Sequence, residues 1–324
     1  MINFIFRTDV HAADKSPMSW KGDYPAEIWE SLRQIGVLAS QYSCAAVLDG
    51  GDFFHVKAPT KNSHALVAKT ALLHAKDYHC PVYCIEGNHD IQANNLDTVQ
   101  NQPLGVLYQT GVFQHLREEI FEEGGIKVRV VGLPFSDTRC LDDFRSIKKR
   151  DGEYLVVIAH ALASEDPPDH VEDFFGEPVF RYSDLVFDGC ADVYCFGHWH
   201  RDQGITQIGS TSFVNQGSIS RGSLVRENLT RVPKVALISC TVTGVVTTPI
   251  LLKVLPAEEV FDIERKERLD KEAKTIETFV DRLEGVFSEE IEEQDPAAIL
   301  SSLKFEPRIV KMSLEYLQKA RESR

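Results

Sequence analysis

Clusters of oxygen- and nitrogen-bearing side chains punctuate the first two thirds of the chain: Asp9-Val10-His11, Gly50-Gly51-Asp52, Gly87-Asn88-His89-Asp90, the single His160, and Gly197-His198-Trp199-His200. Carboxylates, an amide and imidazoles are ligands for divalent ions. A set mixing oxygen with nitrogen suits manganese, iron or zinc better than magnesium or calcium. The glycines before Asp52 let a carboxylate approach a cation closely. Taken singly, each cluster has a duller reading. Asp-x-His is common in turns, a lone His160 is more often a satisfied core residue, and Asp90 reads first as a helix N-cap. Together they say more, because each follows an apolar run and α/β folds set their sites at strand ends. Charged and imidazole groups at the ends of buried strands need partners, and a pair of metal ions provides them.

Those apolar runs are the elements that must position the clusters. Ile2–Arg7, Ala45–Leu48 and Val82–Ile85 read as buried strands, short and rich in β-branched or aromatic residues. Between them, Ile28, Trp29, Leu32, Ile35 and Leu38 recur at helical spacing after Pro25, and a second helix is expected over Ser63–His79. Further strands are expected at Val128–Val131, Leu155–Ala159, Val193–Phe196, Phe213–Asn215 and Val235–Cys240. Alternation of strand and helix in the first half predicts parallel βαβ units, and close-set strands in the second half predict added antiparallel pairing. The expected fold is α/β, a two-sheet sandwich with helices outside.

Composition bounds the chemistry. The chain has 324 residues, enough for a sizeable core, with ordinary apolar and charged fractions of 43% and 26% that exclude a disordered class. No run of about 18 apolar residues predicts a membrane span, and the short apolar start, without a basic flank, predicts no export signal. Seven scattered cysteines without a Cys-x-x-Cys pair read as reduced thiols of a cytoplasmic protein. The net charge of −14 repels nucleic acid at long range, so a nucleic-acid substrate would need local attraction from metal ions, basic loops or a partner.

In this order, Asp-x-His, Gly-Asp, Gly-Asn-His-Asp, a later His and Gly-His-x-His resemble the calcineurin-like metallophosphoesterase family, across Asp9 to His200. The resemblance implies an αββα sandwich, in agreement with the strand pattern. It implies that Asp52 bridges two divalent ions, manganese foremost, with iron or zinc as alternatives. Asp9, His11 and His200 would complete one ion, and Asn88, His160 and His198 the other. A water between the ions would attack phosphorus in line, and His89 would give a proton to the leaving oxygen.

A narrower resemblance rests on Asp52-Phe53-Phe54-His55 with Pro59, similar to DNA double-strand-break repair nucleases of the bacterial SbcD type. It implies that His55 orients the nucleotide being cut. Val214-Asn215-Gln216-Gly217-Ser218 with Arg221 is similar to the Gly-Ser turn of those enzymes. Lys57, Lys61, Arg201, Arg221, Arg226, Arg231 and Lys234 flank the motifs as candidate phosphate contacts, or as ordinary surface charge.

The composition changes after Lys253, so residues 1–252 are expected to form the nuclease domain and 253–324 a reduced cap and helical tail. Leu269, Ala273, Ile276, Val280, Leu283 and Phe287 mark the seam of an amphipathic helix. Glu289 to Asp295 reads as a solvated linker, Asp295-Pro296 as the start of a short helix, and Val310, Leu314 and Leu317 as a last apolar stripe. The tail either packs on its own domain or docks on a partner, for which the resemblance suggests an SMC-like coiled-coil ATPase; a homodimer stays open. Two further readings stand beside a DNA nuclease: hydrolysis of nucleotides or other small phosphoesters, and a non-catalytic ATPase-binding scaffold. The last is disfavoured because every expected ligand is present.

Overall fold

The computed structural model describes residues 1–168, 170–268 and 270–271. Met1–Phe261 makes one compact unit and Asp262–Arg324 a second. The helical seam from Leu269, the acidic run, the Asp295-Pro296 helix start, the last apolar stripe and the docking surface expected of them lie outside the described residues, apart from a few at the start of the tail.

The first sheet is built on β1 (Ile2–Arg7), β2 (Ala46–Asp49), β3 (Val82–Cys84) and β4 (Phe113–His115), parallel in that order. β1 is buried at every position, which is why its sequence shows no polar alternation: both faces are covered. The second sheet contains β5 (Glu118–Glu123), β6 (Ile126–Leu133) and β7 (Tyr154–His160). A short two-stranded pair follows, β8 (Leu162–Ser164) with β9 (Val179–Arg181). The chain re-enters the second sheet with β10 (Val193–Gly197), β11 (Gly204–Ile208) and β12 (Thr211–Asn215). It then returns to the first with β13 (Lys234–Thr241) and β14 (Gly244–Leu251). Each sheet has six strands, ordered β14-β13-β1-β2-β3-β4 and β11-β12-β10-β7-β6-β5.

The antiparallel pairing expected in the second half occurs only toward the sheet edges, in β5–β6, β11–β12 and the pairs made by β13. The centre of the second sheet, β6-β7-β10-β12, is parallel. β5 is absent from the expected strands, because its sequence EEIFEE carries the exposure of an edge strand rather than the apolar run of a buried one.

The sheets pack face to face. Phe4, Phe6, Leu48 and Ile85 from the first meet Val130, Val156, Ile158, Val193 and Val214 from the second in one buried core. Outside the first sheet lie α1 (Tyr24–Gln41), α2 (His64–Asp77) and α3 (Pro103–Gln109). The Asp23 side chain caps α1 by accepting from Ala26 N–H, and Ser63 caps α2 by accepting from Leu66 N–H. A second core, with Phe144 of α4 (Leu141–Arg145) against Leu155, Val157, Phe196 and Phe213, covers the outer face of the other sheet. Two further short helices are α5 (His170–Phe175) and α6 (Ala257–Val260). The result is an αββα sandwich. No described helix is long and apolar enough to cross a membrane.

Candidate metal centre

The loops leaving β1, β2, β3 and β10, with the last residue of β7, converge at one end of the sandwich. Their backbones are strained there. Asp9, His11, Asp52 and His198 have φ of 53°, 48°, 53° and 88°, in the left-handed region that non-glycine residues avoid. Hydrogen bonds hold the strain in place: Asp9 N–H donates to Gly51 C=O at 3.0 Å, and His11 N–H to Asp52 C=O at 3.0 Å. The neighbouring glycines are explained by close approach between loops. A Cβ on Gly87 would lie 2.1 Å from Asp52 Oδ1, and one on Gly197 would lie 2.6 Å from Gly50 C=O.

This geometry gathers the side chains singled out by the motifs. Asp9, His11, Asp52 and His200 bring one ligand atom each within 4.8 Å of one another, and Asp52, His160 and His198 do the same, with Asp52 shared. In the first group His200 Nε2 lies 3.5 Å from Asp9 Oδ1 and 2.9 Å from His11 Nε2. In the second, His160 Nε2 lies 3.5 Å from Asp52 Oδ2 and 3.4 Å from Asn88 Oδ1, which adds Asn88 to the set. Both histidines of the second group have an outer partner. His160 Nδ1 lies 2.7 Å from Gly50 C=O, and His198 Nε2 lies 2.8 Å from Glu177 Oε2. Glu177 belongs to none of the motifs, and nothing in its local sequence pointed to it.

The electrostatics suit cations. Burial alone would raise both carboxylates, but His200 holds Asp9 at about 2 and His160 holds Asp52 well below the usual carboxylate range. Burial also opposes protonation of the imidazoles, yet Asp52 carries His160 up to about 9 and Asp9 raises His200. Protonated imidazoles thus neutralise ionised carboxylates in the positions that cations would neutralise. Burial and then His200 push His11 well below the usual imidazole range, which leaves it neutral and able to act as a ligand. Two carboxylates, one shared, with an amide and four imidazoles fit a pair of divalent ions.

His55 and His89 stand at the mouth. Their rings stack at 5.7 Å with planes 20° apart, and each lies close to His11. His55 Nδ1 is 3.4 Å from His11 Nδ1. His89 is tied at two points: its N–H donates to Asp52 Oδ1 at 2.7 Å, and its Nδ1 lies 2.6 Å from His55 C=O. Donation from Nδ1 leaves Nε2 of His89 as the nitrogen open to a substrate.

Two expectations are corrected. Asp90 caps no helix; its carboxylate, fully buried, accepts from Gly87 N–H at 3.0 Å and lies 3.3 Å and 3.4 Å from the amides of Phe53 and Phe54. It is a clamp between the second and third motif loops. Most of the basic side chains offered for phosphate are already engaged. Arg221 is buried in a two-oxygen pair with Glu27, Arg231 binds the carbonyls of Ser218 and Ser220, Lys234 pairs with Asp202, and Arg201 with Glu227. Among the described residues Lys57, Lys61 and Arg226 make no such pair, and all three are exposed. The Gly-Ser turn braces the centre from behind: Ser218 Oγ donates to Asp9 C=O at 2.7 Å, and Ser218 N–H to His200 C=O at 3.2 Å.

Comparison with known proteins bears on the family. Residues 2–202 match the family model of calcineurin-like phosphoesterases. No curated protein matches the chain. Among solved structures, a 5'-nucleotidase precursor from Thermus thermophilus is similar at 14% identity and TM-score 0.46, over 86% of this chain and 59% of that one. The Thermus thermophilus sulfate thiohydrolase SoxB is similar at 13% identity and TM-score 0.44, over 83% of this chain and 59% of that one. The chain thus spans less than two thirds of the length of either. A dimetal phosphatase from Danio rerio is similar at 11% identity and TM-score 0.48, over 78% of this chain and 99% of that one. The family model spans more than half of the chain and covers every motif residue up to His200. The chain belongs to the calcineurin-like phosphoesterase family.

Proposed function

We propose that the protein is a manganese-dependent phosphodiesterase that cuts DNA. The observation that carries this reading is the His55–His89 pair, stacked at the mouth of the two ligand groups and touching both through His11 and Asp52. Ions held by Asp9, His11, Asp52, Asn88, His160, His198 and His200 supply Lewis acidity and an activated water at neutral pH. The chain's own residues do the rest. Asp52, shared by the two groups, sets their spacing. His89, oriented by its bond to His55 C=O, presents Nε2 to the leaving oxygen and donates the proton there. His55, exposed beside it, positions the nucleotide. Phe174 and Phe175 support a nucleic-acid substrate: Phe174 is largely exposed, Phe175 lies 6.0 Å from the His198 ring, and a nucleobase stacks well on such a face.

A second reading, hydrolysis of nucleotides or other small phosphoesters, is favoured by the engagement of Arg201, Arg221, Arg231 and Lys234 and by the net charge of −14. Among the described basic side chains that flank the motifs, Lys57, Lys61 and Arg226 remain to grip a duplex. Under the DNA reading, a coiled-coil ATPase docked through the region after Lys253 supplies that grip. The deciding experiment is hydrolysis by the purified protein with manganese, with and without chelator. Its substrates are linear duplex, single strands, mononucleotides and an aryl phosphodiester at fixed salt. Cutting of single-stranded or duplex DNA supports the first reading. Turnover confined to the small esters supports the second.

A further inference from the structure

The five motifs account for both ligand groups but leave His198 without a reason to present the correct nitrogen. A neutral imidazole has one N–H and one lone pair, and only the lone-pair nitrogen binds a metal. His160 is settled by backbone, since its Nδ1 faces Gly50 C=O and its Nε2 faces Asp52. His198 has no such carbonyl. Its Nε2 instead lies 2.8 Å from Glu177 Oε2, with the His198 side chain 7% exposed and that of Glu177 21% exposed.

We propose that Glu177 is a positioning residue that accepts the Nε2–H of His198 and so holds Nδ1 free as the ligand to the second ion. This rests on the ligand set proposed above. The segment around Glu177 is built for that reach. Gly176, with φ 67°, lies in the left-handed region and ends α5, its N–H donating to Glu172 C=O at 2.8 Å, and Glu177 follows directly. Phe135 and Phe175 flank the His198 ring at 5.5 Å and 6.0 Å, which limits its rotation and leaves the carboxylate to decide its tautomer. No lysine or arginine pairs with Glu177 among the described residues, so its charge is available to His198. A carboxylate behind a ligating imidazole also raises the basicity of the ligating nitrogen.

Stepwise binding tests this directly. The full-length protein is stripped with chelator and titrated with manganese, followed by calorimetry and by the spin coupling of the ion pair in electron paramagnetic resonance. Glu177→Ala is expected to weaken the second binding step about 10- to 100-fold and leave the first unchanged. Glu177→Gln, which keeps an acceptor oxygen, is expected to bind the second ion within about threefold of the unsubstituted protein. Unchanged second-ion affinity in Glu177→Ala overturns the proposal, as does equal weakening of both steps. His198→Ala separates this from the ligand set itself. If His198→Ala loses the second step while Glu177→Ala keeps it, only the role of Glu177 falls. If His198→Ala still binds two ions as before, the ligand set falls.

Discussion

Asp9, His11 and His200 meet one another directly, whereas His160 and His198 each have a hydrogen-bonding group behind the imidazole. In the first half His200 reaches Asp9 and His11 directly, and its side chain is 52% exposed. In the second, a backbone carbonyl and the Glu177 carboxylate lie behind the imidazoles, which are buried. Similar ligands on the two sides are therefore organised by different means. Ion pairs between the ligands mark the open side, and polar groups behind the imidazoles mark the closed one. Water reaches the first arrangement at His200 and has little access to the second.

The strongest way to break this comparison is to remove what the halves share. Asp52→Asn is expected to lower hydrolysis of an aryl phosphodiester by about 10³-fold or more and to weaken both manganese-binding steps. Retention of one unaltered step would mean that Asp52 belongs to a single half. His89→Ala is expected to slow cleavage by about 10²- to 10⁴-fold while both ions stay bound, since the role proposed for His89 is proton donation rather than ligation. Metal analysis beside the rate decides this, and loss of an ion would move His89 into the first half.

The first half also depends on the turn behind it. Arg221→Ala breaks the buried pair with Glu27 and is expected to destabilise the fold by about 3 kcal/mol in urea titration. Under the proposed DNA reading, its effect on the salt dependence of DNA binding should be negligible, in contrast to Lys61→Ala, which should make that dependence shallower. Gly217→Ala tests the same turn more locally. Gly217 has φ 66°, and a Cβ there would lie 2.4 Å from His200 C=O. A loss of about 1–3 kcal/mol is expected, with the first binding step weakened and the second intact.

The smallest effect concerns pH. His160 in the metal-free protein sits at about 9, above the ordinary imidazole value of 6.5. A raised histidine contributes stability that is complete below the unfolded value and is lost as pH rises through the folded one. The melting temperature of chelator-treated protein should therefore fall by a few degrees between about pH 6.5 and 9. Added manganese should flatten the decline, because the metal takes the neutral imidazole.

Much of this was legible because the motif residues lie immediately after apolar runs whose burial leaves no ambiguity. β1, β2, β7 and β10 fall within a residue or two of the expected spans, since a strand covered on both faces is a continuous apolar word. Edge strands were hidden for the opposite reason. β5 is largely polar by sequence and is a strand only because β6 offers it a ladder. Asp90 looked like a cap because local sequence is all a cap needs, yet its acceptors serve Phe53 and Phe54, 37 and 36 positions away. The basic residues misled in the same way, for Arg221 meets Glu27 across 194 positions.

The order and type of the motif residues by themselves determined the family and a centre of carboxylates and imidazoles, because ligand chemistry travels with side-chain identity and short spacing. Only the tertiary structure decided which nitrogen of each histidine faces inward, which basic residues are already paired, and that a carboxylate outside every motif stands behind His198. Each of these depends on a hydrogen bond or ion pair between residues distant in sequence, and no local pattern encodes such a partner.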